Sequence, residues 1–171
     1  MYSYMPIPLF DGSYTPAFVV AVDVAGIQLF GDRNHIQDYA EHVDLCIDHH
    51  GSNSGFALET LVEPEAAAAA ELLTSLIPAM GVELTPDIAA CLYTGLATDT
   101  GCFRFTNTTA ATHRAAAALI EASADVESLN ERLFECRSHA RITAEKLALE
   151  SLEYYYDDRC ALICLTWDQI Q

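Results

Sequence analysis

Positive charge is scarce in this sequence. Its 171 residues hold eight Lys and Arg against 25 Asp and Glu, a formal net charge of −17. Lys146 is the only lysine, and Arg33 is the only basic residue ahead of Arg104. Duplex nucleic acid binds proteins that neutralise many phosphates, so an extended DNA-binding surface is disfavoured. A short anion held by a metal ion and a few arginines remains open. Also missing is any apolar run near the roughly 20 residues of a membrane helix. The opening "MYSYMPIPLFDGSY" lacks the basic and long apolar regions of a signal peptide. None of the six cysteines (Cys46, Cys91, Cys102, Cys136, Cys160, Cys164) forms a Cys-x-x-Cys pair. Most lie in apolar runs, where a free thiol acts as a small hydrophobe. The expectation is a cytoplasmic globule with no membrane partner.

What is present reads as α/β. "AFVVAVDVA", residues 17–25, is a β-branched run of the kind buried on both faces of a parallel sheet. "HIQDYAEHV" follows with helical spacing and "DLCID" is a second short strand, which together make a strand-helix-strand crossover. Pro64 is expected to open an alanine-rich helix ending at Gly81, and Thr85 with Pro86 to begin another. Three further helices are expected, the last running through "YYY". "CALICLT" then closes the chain as a strand in need of a partner.

The stretch "DLCIDHHGSNSGF" places an acid and two histidines at the end of an apolar strand. Ligands of open parallel sheets bind beyond the carboxyl ends of the strands. Asp23 leaves the first strand there, Asp48, His49 and His50 leave the second, and Asp99 in "LATDTG" precedes a glycine. Acids crowded into one crevice repel each other when ionised, and a divalent cation relieves that repulsion. Carboxylates with an imidazole suit manganese or magnesium, whereas structural zinc favours thiolates. His35, His42, His113 and His139 are read as structural.

The ordered set "VVAVDVA", "CIDHHGSN" and "LYTGLATDTGCFRFTNTT" resembles the DHH phosphoesterases, and most of all their oligoribonuclease and 3′-phosphoadenosine 5′-phosphate phosphatase (nanoRNase) group. The match runs from about Phe18 to Thr166. The resemblance implies a hydrolase with a partial DHH domain over residues 1–156, a short parallel sheet flanked by helices and a helix-rich second half. Residues 157–171 would be a linker and the first strand of a C-terminal domain. It implies Asp23, His49 and Asp99 as metal ligands, His50 and Asp48 as catalytic groups, and Arg104 and Asn53 as substrate-side residues. The cofactor would be Mn2+, with Mg2+ as the other option, and two ions in the full-length family. The reaction implied is 3′→5′ hydrolysis of short RNA, or of the nucleotide phosphate pAp. Ions about 3.5–4 Å apart would clamp the phosphoryl group and bring a water's pKa from about 15.7 to near 7.

The family's first motif, His-x-x-x-Asp-x-Asp, has no counterpart ahead of Asp23, where Asp11 is the only acid, and the Gly-Gly-Gly-His segment of the C-terminal domain is absent. The paired site is therefore expected to be incomplete in this chain. Two other readings follow: a catalytically incomplete remnant with an interaction role, or a relative acting on pyrophosphate or cyclic dinucleotides. Exposed sheet edges would favour self-association as a homodimer.

Overall fold

The structure, a computed structural model, describes residues 16–30 and 42–170. The helix expected over "HIQDYAEHV" falls mostly outside them. The chain divides into two compact units, one ending at Asn130 and the other beginning at Glu131.

The first unit carries three parallel strands in the order β1 (Val20–Val22), β2 (Leu45–Asp48), β3 (Glu59–Val62). The α/β class with a short parallel sheet holds. Ala21 and Cys46 pair across β1 and β2 and are buried with Val43 against Phe30 and Phe56. Val20 and Val22 point the other way and are exposed, so β1 is not covered on both faces. Branched side chains suit the pleat whichever face is wet, so their run does not report how many faces are covered. Sequence reasoning missed β3: "ETLV" is an edge strand with little buried, and it shows no hydrophobic alternation.

Four helices follow: α1 (Ala69–Ala79), α2 (Pro86–Asp99), α3 (Ala110–Glu121) and the short α4 (Val126–Asn130). α1 starts later than the expected Pro64. Ala68 is still extended, at φ −160° and ψ 154°, and no side chain caps it. Instead Glu71 reaches back to the Ala67 amide at 3.3 Å, placing a carboxylate where the helix dipole favours one. The alanine run therefore serves packing as much as propensity. Ala67, Ala68 and Ala69 are buried, and a Cβ added at Gly95 of α2 would lie 3.1 Å from the Ala70 Cβ. Small residues on both helices permit that close approach.

α2 begins as expected. The Thr85 hydroxyl accepts from the Ile88 amide at 3.3 Å, with Pro86 at the first helical position. Its buried Ala89, Leu92, Tyr93 and Leu96 recur at helical spacing. α3 opens on a reciprocal pair, Thr109 and Thr112. The Thr112 hydroxyl also donates to Glu71 at 2.8 Å and ties α3 to α1. Leu92, Leu96 and Leu119 fill the middle of this helical layer, each contributing on the order of 1.5–3 kcal/mol by burial.

The second unit holds α5 (His139–Glu150), an antiparallel hairpin of β4 (Glu153–Tyr155) and β5 (Cys160–Leu162), and α6 (Trp167–Ile170). Two expectations are corrected here. The helix expected through "YYY" stops at Glu150, and the first two of those tyrosines, Tyr154 and Tyr155, lie in β4, which is the partner β5 needed. Tyrosine suits a strand, and Tyr156, Asp157 and Asp158 take positive φ in the turn. Cys46 is buried, whereas Cys91, Cys136, Cys160 and Cys164 are exposed, so the small-hydrophobe reading suits only Cys46 well. No helix among the described residues is long and apolar enough to cross a membrane.

Candidate metal centre

The strand ends and one helix end build the site. Asp23 follows β1 at φ +60°, a left-handed conformation that aspartate tolerates better than most residues, with its amide on the Ile47 carbonyl at 3.0 Å. Asp48 ends β2, and His49 and His50 come directly after it. Asp99 is the last residue of α2.

His49 is the hub. Its Nδ1 donates to the Ala66 carbonyl at 3.2 Å. Its Nε2 faces Asp23 Oδ1 at 3.3 Å and Asp99 Oδ2 at 3.4 Å. With the proton on Nδ1, Nε2 turns a lone pair toward two carboxylate oxygens. A shared cation satisfies all three donors together. Adjacent ligands at right angles around an ion with bonds of about 2.1 Å stand about 3 Å apart, so the spacing fits. A backbone carbonyl on the second ring nitrogen is also the usual way a ligating histidine is oriented.

Behind this face Asp48 is fully buried. Its Oδ1 accepts from the His49 amide at 2.8 Å, the His50 amide at 3.2 Å and His50 Nδ1 at 2.7 Å, and its Oδ2 from Asn53 Nδ2 at 2.6 Å. One donor atom from each of Asp23, Asp48, His49 and His50 lies within 4.8 Å of the others. Asp48, with both oxygens so engaged, is placed to support the loop more than to ligate. Burial pushes the Asp48 carboxyl up, but the bonds from Asn53, His50 and the two amides outweigh it and hold it below the usual range. The bond to Asp48 raises His50 above its ordinary value; burial opposes this and the charges of Asp48, Asp23 and Asp99 add to it. Asp99 is pushed up by burial first and then by the charge of Asp23, with His49 and His50 partly offsetting.

Asn53 fastens the two loops together. Nδ2 also donates to the Val24 carbonyl at 3.1 Å, and Oδ1 accepts from the Gly55 amide at 2.8 Å. Arg104 lies further along the chain and is exposed, its Nε on the Gly101 carbonyl at 2.7 Å. It follows three successive left-handed residues, Gly101, Cys102 and Phe103, at φ 55°, 58° and 61°. The structure thus brings Asp23 and Asp99 each to His49 Nε2, with Asp99 outside the tighter group of Asp23, Asp48, His49 and His50 and with Asn53 behind it, and it shows no contact of Arg104 with these residues. Two contributors went unnoticed in the sequence. The Ala66 carbonyl carries no side-chain signal, and Asn107, which donates to the Ala67 and Asp99 carbonyls, sits in "FTNTT", where an asparagine reads as an ordinary turn residue.

No protein-family model matches the chain. It is 39% identical over 111 residues to the bifunctional oligoribonuclease and PAP phosphatase NrnA of Thermus thermophilus, covering 64% of this chain and 34% of that protein. It is 27% identical over 123 residues to a probable bifunctional oligoribonuclease and PAP phosphatase NrnA of Streptococcus mutans, covering 72% and 39%. The chain therefore spans about a third of the length of these relatives. Among solved structures it is similar to an exopolyphosphatase-related protein from Bacteroides fragilis, with TM-score 0.74 and 25% identity, covering 88% of this chain and 45% of that one. A candidate family II inorganic pyrophosphatase of Methanococcus jannaschii shares the fold at TM-score 0.53 and 20% identity, covering 80% and 47%. By these likenesses, and by the Asp-His-His loop at the end of its central strand, the chain is similar to the DHH-type phosphoesterases over part of their length.

Proposed function

We propose that Asp23, His49 and Asp99 hold a divalent cation, manganese before magnesium, and that the site hydrolyses short oligoribonucleotides 3′→5′ and the 3′-phosphate of pAp. One observation carries this reading: a histidine nitrogen tethered from behind faces two carboxylates from different parts of the chain. The names of the two curated relatives support the substrate class. A bound divalent ion supplies the positive charge that acidifies water and steadies a phosphoryl group.

The chain's own residues do the rest. Asp48 holds His50 by Nδ1, so the opposite ring nitrogen is presented to a phosphate oxygen, and its raised proton affinity suits a donor to the leaving oxygen. Arg104 anchors through Nε and keeps its terminal nitrogens for phosphate. Asn53 keeps the Asp48 loop in register. In a two-ion scheme Asp23 would be among the residues that hold the ions, and further ligands would come from outside this constellation. The same proposal keeps residues 1–156 as a partial DHH domain with 157–171 as linker and strand, a cytoplasmic location, and homodimer formation.

The test is hydrolysis of a short RNA and of pAp by the purified chain with Mn2+, read as nucleotide and phosphate release, with Asp23→Ala expected to abolish it. Cleavage of pyrophosphate or a cyclic dinucleotide instead would overturn the substrate. Mn2+ binding without hydrolysis of any of them would replace the enzyme with an incomplete chain in an interaction role.

A further inference from the structure

The side-chain nitrogen of Asn107 donates to two main-chain oxygens, Ala67 O and Asp99 O, both at 3.1 Å. These acceptors belong to the two segments that set the metal centre. Ala67 follows Ala66, whose carbonyl fixes the His49 ring through Nδ1. Asp99 supplies the carboxylate that faces the same ring's Nε2 at 3.4 Å. An amide NH2 carries two diverging hydrogens and serves both acceptors at once, which a hydroxyl, with one hydrogen, does not. Asn107 is exposed, so core packing does not account for its place.

We propose that Asn107 is a positioning residue of the metal centre. It braces the turn before α1 against the end of α2, at the separation where His49 Nε2 and the Asp99 carboxylate meet one cation. The inference rests on the metal reading proposed above. Groups that orient ligands without touching the ion typically cost 10–100-fold in metal affinity when removed, and Asn107 orients two ligands through their main chains.

Asn107→Asp keeps the shape and turns a donor into an acceptor that repels both carbonyls. Asn107→Ala removes the brace. The readout is the Mn2+ dissociation constant from the electron paramagnetic resonance signal of free Mn2+, which needs no turnover. Both variants are expected to bind Mn2+ at least about tenfold more weakly, with Asn107→Asp no better than Asn107→Ala. Asn107→Ala carries the test if Asn107→Asp does not fold by circular dichroism.

Thr85→Ala removes the cap at the opposite end of α2 and reports what lost stability alone does to binding. If it weakens Mn2+ as much as Asn107→Ala, the positioning role is overturned. Unchanged binding in the Asn107 variants, with binding lost in Asp23→Ala, overturns the brace and leaves the metal centre intact. Unchanged binding in Asp23→Ala overturns the metal centre itself.

Discussion

Asp23 Oδ1 lies 3.3 Å from His49 Nε2, and parallel pairing of β1 with β2 is what brings them together, since the register sets Val22 beside Ile47. Two strand ends that neighbour in the sheet must deliver their next residues to the same rim. A cation held at that rim, as proposed, would bind the folded chain and not the unfolded one. Mn2+ at about 100 times its dissociation constant is expected to add about 2.7 kcal/mol, which raises the thermal midpoint by roughly 5–10 °C. Thermal scans with and without Mn2+ check this. The gain should vanish in Asp23→Ala and His49→Ala, and with a chelator.

Asp48 supports the loop from inside. Asp48→Ala strands the Asn53 amide, the His50 ring and two backbone amides without their acceptor. Unmet buried donors cost about 1–3 kcal/mol each. The expected loss is at least about 3 kcal/mol in urea unfolding, and a loss below about 1 kcal/mol would contradict the role given to this carboxylate.

α1 and α2 approach too closely at Gly95 for a larger side chain. Gly95→Leu is expected to destabilise by about 2 kcal/mol or more through overpacking. The denaturant midpoint should fall at unchanged slope. Gly95→Ala balances a tight contact against better helix propensity and should change little.

His50 should report its bond to Asp48 by titration of the metal-free protein. Its imidazole is raised above 6.5, so proton NMR should give a midpoint above that value, returning toward it in Asp48→Asn. The stability linked to His50 is complete below pH 6.5 and fades as pH rises through the folded value. That linked to Asp48, whose carboxyl is lowered from 3.8, is present above 3.8 and lost as pH falls through the folded value. The stability gap between the unsubstituted chain and Asp48→Asn should therefore be widest between pH 3.8 and 6.5.

Much of this was legible in the residues. The β-branched run, the Asp-His-His loop and the Thr85 cap are local signals, because side-chain chemistry and backbone conformation agree at each. β3 was not legible, because a four-residue edge strand that buries little need not alternate. The start of α1 was misplaced because alanine favours helix wherever tertiary contacts do not claim the main chain. Here His49 and Asn107 claim the Ala66 and Ala67 carbonyls. The tyrosines of β4 were read as helix because their partner strand lies after a turn of left-handed residues that leaves little composition signal.

The tether on His49 has one more implication. Its acceptor is a peptide oxygen at Ala66, an atom present whichever amino acid occupies the position. Replacement of that alanine cannot delete the tether; only displacement of the whole turn can. Drift at residue 66 is therefore tolerated so long as the newcomer is small enough to leave the loop in place, and this one bond is lost by moving polypeptide, not by exchanging the side chain at its acceptor.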